Sequence, residues 1–172
     1  MAEPLAAILP IPGLGMIQIR ADLAQSGAAI ARATGLAIPA PNSTVTRGDQ
    51  RLCWMSPDEL LLVLPRAGVG AALSALEQAL AGAHALVLDV SDMRVAYRLA
   101  GGRADQVLAK LSPAHPEALP ADGFRRSRAG QVACAFWRQD GGFVLIGMRS
   151  VADYLRALLE NAARPGSGLD PR

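Results

Sequence analysis

The sequence predicts an α+β fold made of two similar halves, each ordered strand–helix–strand–strand–helix as in a ferredoxin-like unit. Three observations carry this. Period-2 alternation marks Ile17, Ile19 and Ala21 near the start and Val95, Tyr97 and Leu99 near the middle. Such alternation is the mark of a half-buried strand. Each of these stretches runs into apolar residues at helical spacing: Leu23, Gly27, Ile30 and Thr34 in the first case, Ala104, Val107, Leu108 and Leu111 in the second. Beyond each helix come further short strands and another helix. That order, met twice, is a split βαβ unit duplicated, with antiparallel sheets and helices on one face.

The elements follow in order. Residues 1–15 read as an extended arm, because Pro4, Pro10, Pro12, Gly13 and Gly15 forbid a regular helix. A strand over 16–21 and a helix over 22–33 follow, with Gly35 as the stop. Strands are expected at 44–47 and 51–55, turned by Gly48-Asp49. Ser56-Pro57-Asp58-Glu59 has the form of a helix start, with Asp58 and Glu59 as first-turn charges. The LLLVL that follows is too short for a helix and closed by Pro65, so one helical turn leading into a buried strand is expected. A helix marked by Leu73, Leu76 and Leu80 and a buried strand at 85–90 complete the first half, 16–91.

The second half, 92–163, repeats the order. It has a strand at 95–99, a helix at 104–111, a proline-rich crossing at 112–120, and strands at 131–138 and 143–147. Asp140-Gly141-Gly142 is a hairpin turn between the last two. Val151, Tyr154, Leu155, Leu158 and Leu159 form one stripe of a final helix, with Ser150 placed to cap it. Residues 164–172, RPGSGLDPR, read as a disordered tail.

Composition narrows function more than it defines it. A chain of 172 residues buries roughly 70% of its unfolded surface and needs no staple. A net charge of +2 is too small to mark a nucleic-acid binder, and no apolar run reaches the length of a membrane helix. The N-terminal stretch has no basic residue before Arg20 and makes a poor export signal. Cys53 and Cys134 form neither a disulfide framework nor a metal site, and a reducing, cytoplasmic location is expected.

Chemical motifs are sparse. Gly13-Leu14-Gly15 and Gly68-Val69-Gly70 lack the third glycine of a dinucleotide loop. His84 and His115 have no ligand partner at metal spacing. Asp89-Val90-Ser91-Asp92 sets acids beside a serine at a strand end, where turn geometry favours the same residues. No catalytic, cofactor-binding or metal-ligating residue is therefore assigned. The candidate interface residues are Trp54 and Trp137, on comparable strands of the two halves, with Arg125, Arg126 and Arg128. Trp and Arg are enriched at interface hot spots; a core Trp in each half beside a solvated basic loop is the competing account, and both stand at this point.

An ordered set of segments carries a resemblance. GMIQIRADL at 15–23, IPAPN at 38–42, LCWMSPDELLLVLP at 52–65, DVSDMRVAYRLAG at 89–101 and SVADYLRALLENA at 150–162 together resemble the gamma subunit of heterotetrameric sarcosine oxidase. That family is related to the folate-binding domain of glycine-cleavage aminomethyltransferases. The resemblance implies a bacterial, non-catalytic subunit assembled with alpha, beta and delta subunits, with no nucleic acid or membrane partner. It places FAD, FMN, NAD, zinc and tetrahydrofolate in the partner subunits and none in this chain. The complex it implies demethylates sarcosine oxidatively to glycine, forming hydrogen peroxide and methylene-tetrahydrofolate. Asp89-Val90-Ser91 is shared with the aminomethyltransferases, but their Asn-Asp pair after the next helix is replaced here by Leu111-Ser112-Pro113-Ala114. A stand-alone folate-binding or aminomethyltransferase-like enzyme is the alternative.

Overall fold

The computed structural model describes residues 3–169. In chain order it contains β1 (Ala7–Pro10), β2 (Leu14–Ala21), α1 (Leu23–Thr34), β3 (Thr44–Arg47), β4 (Gln50–Ser56), β5 (Glu59–Pro65), α2 (Val69–Ala79) and β6 (Ala85–Asp89). These are followed by β7 (Arg94–Ala100), α3 (Ala104–Leu111), β8 (Phe124–Ala129), β9 (Val132–Gln139), β10 (Gly142–Met148) and α4 (Ala152–Ala162). The fold is α+β, with two wholly antiparallel five-stranded sheets of order β3-β4-β5-β2-β6 and β8-β9-β10-β7-β1. Read side by side, the two orders match strand for strand. Without its outer strand β3, the first sheet has the β6-β2-β5-β4 order of a ferredoxin-like βαββαβ unit.

The chain divides into two compact units, Gly13–Asp92 and a second made of Met1–Pro12 with Met93–Arg172. The first unit packs Ile17, Ile19, Leu52, Leu60, Leu62 and Leu64 of its sheet against Ile30 of α1 and Val69 and Leu76 of α2. Asp22 caps α1 by accepting from the Ala24 N–H at 2.9 Å, and Gly35 closes it in the left-handed region, φ 66°. β5 is buried from Glu59 through Leu64 without alternation, so both of its faces are withdrawn from water. In the second unit, Tyr97, Leu99, Phe136, Phe143 and Leu145 of the sheet pack on Val107 and Leu108 of α3 and Leu155 and Leu159 of α4. Phe136 and Phe143 meet edge to face at 6.1 Å.

Several elements depart from the sequence reading, each for a local reason. Part of the expected arm is strand: β1 lies antiparallel to β7, with Ala7 opposite Ala100, and Leu5 and Ala6 are buried beside it. Pro10 is tolerated because β1 is an edge strand. Residues 1 and 2 of the expected arm lie outside the described residues. Ser56-Pro57-Asp58-Glu59 forms no helical turn. Pro57-Asp58 is the two-residue turn of the β4–β5 hairpin, and β5 begins at Glu59.

The arginine-rich stretch 125–128 is strand β8 rather than loop, so the second half has three strands after α3 and not two. Ser150 lies in a short 3₁₀ turn before α4, which carries no side-chain cap. The expected tail is ordered through residue 169: the Leu169 N–H donates to Gln106 Oε1 at 3.0 Å, and Lys110 Nζ donates to Ser167 Oγ at 2.8 Å. Residues 170–172 of that expectation lie outside the described residues.

The Asp140-Gly141 hairpin turn forms as read, with φ 47° and 74°, the paired left-handed values of a type I′ turn. Gly142 has a second role. A Cβ there would stand 2.0 Å from the Leu99 carbonyl oxygen across the β7–β10 pairing. Gly142→Ala is expected to cost about 2–3 kcal/mol in urea unfolding, because backbone must move to admit the methyl. Gly102→Ala, with open space around it, should stay within about 0.5 kcal/mol. Equal losses in the two variants would contradict this packing.

Candidate functional site

The connector from β6 to β7 is the segment whose residue types first suggested chemistry. Its geometry is that of a tied turn. The Asp89 carboxylate accepts from the Ser91 N–H at 2.9 Å and from the Ser91 hydroxyl. Ser91 is 3% exposed, and its Oγ accepts from the Met16 N–H at 2.9 Å. The Val90 N–H donates to the Met16 carbonyl at 2.8 Å. A short relay therefore runs from the start of β2 through Ser91 to Asp89. It anchors the end of β6 to the strand beside it. The Ser91 hydroxyl, and next the Ser91 N–H, hold the Asp89 carboxyl below the usual carboxylate range.

Asp92 forms a bidentate pair with Arg66, at 2.7 and 3.2 Å. Arg98 reaches Asp140 in the β9–β10 turn at 2.7 Å. Strand alternation decides this: Arg98 stands opposite Val144 on β10, within reach of that hairpin's end.

Ser112 follows α3 directly. It closes α3, its N–H donating to the Leu108 carbonyl at 2.8 Å. It is 8% exposed, and its hydroxyl shares a 2.7 Å hydrogen bond with the Ser127 hydroxyl on β8. Its Oγ also accepts from the Ala114 N–H at 3.3 Å. The side chain is spent on ending a helix and fixing the neighbouring strand.

An open cleft of about 750 Å³ lies at one end of the first unit's sheet. The end of β2, the start of α1, the β4–β5 turn and the start of β6 frame it. Arg20, Asp22, Asp58, His84 and Leu86 line it. Arg20 and Asp58 pair at 2.7 Å, with half of each side chain exposed. Ser56, and then Arg20, hold the Asp58 carboxyl low. Asp22 is committed to the α1 cap and to Gln25 Nε2 at 2.7 Å. On the adjoining strands Gln18 Nε2 donates to Glu59 Oε1 at 2.7 Å, and Glu59 is 9% exposed. Sequence reasoning missed this constellation. Its members are 38 and 41 positions apart, and only the register of β2 against β5, Arg20 opposite Glu59, brings them together.

Among the described residues no group of three or more His, Cys, Asp or Glu could hold a metal ion. Cys53 and Cys134 are buried free thiols, each pushed up to about 12 by burial. No helix among the described residues is long and apolar enough to cross a membrane.

The interface candidates separate. Trp54 on β4 and Trp137 on β9 occupy matching strands but opposite sides of them. Trp54 is half-buried against the helix-side core of its unit. Trp137 lies opposite Val144 on the other face of its sheet, 2% exposed and stacked on Phe124 at 6.1 Å. Trp137 is therefore a core residue, with no surface to offer a partner. Arg125, Arg126 and Arg128 are exposed on β8, but alternation divides them. Arg125 stands opposite core Phe136, while Arg126 and Arg128 share the other face, opposite Ala135 and Ala133.

The model of the sarcosine oxidase gamma subunit family matches residues 20–164. No curated protein matches the chain. Among solved structures, a chain of the heterotetrameric sarcosine oxidase from Corynebacterium sp. U-96, in complex with pyrrole 2-carboxylate, is 25% identical, with a TM-score of 0.88. The match covers 100% of this chain and 90% of that one. The glycine cleavage system aminomethyltransferase T from Bartonella henselae is 18% identical with a TM-score of 0.68, a match of 92% of this chain to 46% of that one, and shares the fold.

Because Asp89 is held below its ordinary range, it contributes stability above the unfolded carboxylate pKa of about 3.9, and that contribution is lost as pH falls through the lower folded value. Asp89→Asn should therefore cost on the order of 1 kcal/mol at neutral pH, discounted for solvent exposure. The gap between variant and parent should close as pH falls below the ordinary carboxylate range. Thermal melts across that range check it, and a gap that widens in acid would contradict the tied-turn account.

Proposed function

The chain belongs to the sarcosine oxidase gamma subunit family, and on that premise we propose that it is the non-catalytic gamma subunit of a heterotetrameric sarcosine oxidase. In this reading it assembles with alpha, beta and delta subunits in the bacterial cytoplasm. FAD, FMN, NAD, zinc and tetrahydrofolate belong to those partners. The assembly removes two electrons from the N-methyl C–N bond of sarcosine and passes them to oxygen as hydrogen peroxide. The one-carbon unit leaves as methylene-tetrahydrofolate, and glycine is released.

The observation that carries the reading is Ser112. Proton handling at the reacting amine needs a carboxylate beside it. At the corresponding position this chain has a serine already bonded to Ser127 and to the end of α3. Asp89, the polar residue shared with the aminomethyltransferases, is likewise spent on Ser91. Both side chains act on the fold of this chain, as a scaffold requires. The free thiols fit a reducing compartment.

Co-expression of all four subunits tests the proposal. The chain is expected to co-purify with the other three, and leaving it out should lower the yield of soluble, active complex. Purified by itself it should be colourless and form no peroxide from sarcosine. Asp89→Asn should reduce assembly and leave turnover per assembled complex within about twofold, since removing a group that touches no reacting atom leaves transition-state binding intact. Calorimetry addresses the stand-alone alternative: micromolar tetrahydrofolate binding to the isolated chain, abolished by Asp89→Asn, would establish a folate enzyme in place of a scaffold.

A further inference from the structure

Two large apolar side chains of the first unit stand in water. Leu86 and Leu88 of β6 are 46% and 48% exposed, so nothing among the described residues covers them. Alternation puts both on the sheet face turned away from the helices, because Ala85 and Val87 pack into the helix-side core. Their neighbours across the strand pair are Arg20 and Gln18 of β2. Leu86 also lines the open cleft at the end of the sheet, together with Leu23 and Pro57. The exposed stripe on β6 and the cleft are therefore one continuous apolar surface with a polar rim, the form a partner-binding patch takes.

Charge on the rim selects the occupant. Arg20 is answered by Asp58 at 2.7 Å, and half of each side chain is exposed. Asp22 is answered by neutral donors, the Ala24 N–H and Gln25 Nε2. Glu59, opposite Arg20 across β2 and β5, is answered by the neutral amide of Gln18. An amide supplies a hydrogen bond and leaves the charge of the carboxylate in place. Three acids against one arginine, with His84 neutral, leave this corner negative in a chain whose net charge is +2. An acidic segment is repelled here and a basic one is drawn in.

We propose that this surface docks a segment of a partner subunit that carries an apolar side chain beside a basic one. The apolar side chain fills the cleft over Leu23 and Leu86. The basic side chain lays its aliphatic stem along Leu88 and its charged head toward Glu59 and Asp58. The proposal rests on the chain being a subunit of a larger assembly, and it names a surface by which that assembly is held.

The test uses the full chain co-expressed with the partner subunits. L86K/L88K removes the apolar stripe and repels a basic segment, and it should weaken assembly roughly 10–100-fold. Its thermal melt should stay close to the parent's, because both side chains are exposed. If that variant fails to fold, L86T/L88T keeps β-branched residues on the strand and should give a smaller loss in the same direction. D58N/E59Q should also weaken assembly, and should flatten the salt dependence seen with the parent chain. Hydroxyl-radical footprinting reads the surface directly: Leu86 and Leu88 should lose labelling when the complex forms.

Equal assembly of the folded leucine variants and the parent would overturn the proposal and leave the subunit reading standing. So would unchanged labelling of Leu86 and Leu88 on assembly, tighter assembly of D58N/E59Q, which would mark an acidic occupant, or a homodimer of the isolated chain that buries the two leucines. A parent chain that fails to co-purify with any partner would overturn the subunit reading and this docking surface with it.

Discussion

An exchange of edge strands is the constraint on which the architecture depends. β6 leads into the second half of the chain, yet it pairs with β2 of the first. β1 leads into the first half, yet it pairs with β7 of the second. Each sheet is thus completed by the strand that precedes the other half. The second unit is built from two separated stretches of sequence as a result. Leu5 and Ala6, just before β1, are 2% and 4% exposed within that unit's core. Burying Leu5 alone is worth roughly 1.5–3 kcal/mol. Gly101 is held at φ 148° with the Leu5 carbonyl and Ala6 close by, where an added Cβ would lie 2.9 and 3.0 Å from them.

This exchange also explains what the sequence could and could not reveal. The duplicated order was legible because its strongest signals are local: alternation at Ile17–Ala21 and Val95–Leu99, helical spacing at Ala104–Leu111, and the Asp140-Gly141 turn. Pairing partners are not local. Nothing in residues 7–10 announces that they belong with residues 97–100. No strand is legible at 124–129 because arginines mask the alternation of Phe124, Arg126 and Arg128 against Arg125 and Ser127. Pro57-Asp58 has the residue types of a helix start and became a hairpin turn because the pairing of β4 with β5 outweighs the local signal.

The polar groups tell a consistent story about function. The family resemblance draws the eye to Ser112, while its bond to Ser127 emerges only once α3 and β8 are juxtaposed. Asp89 and Ser91 were legible as turn formers. Their anchoring to Met16 depends on β6 lying beside β2, 75 residues away in sequence for the Met16–Ser91 bond. The side chains that first suggested chemistry hold strand ends together. Those features suit a protein that works by holding partners.

Deleting residues 1–12 and following amide hydrogen exchange site by site tests the strand exchange most directly. The account predicts that protection collapses across β7, β10 and α4 while β2, β4 and β5 keep theirs, because only the second sheet loses a strand and its core residues Leu5 and Ala6. Native-like protection throughout 94–162 in the shortened chain would contradict it.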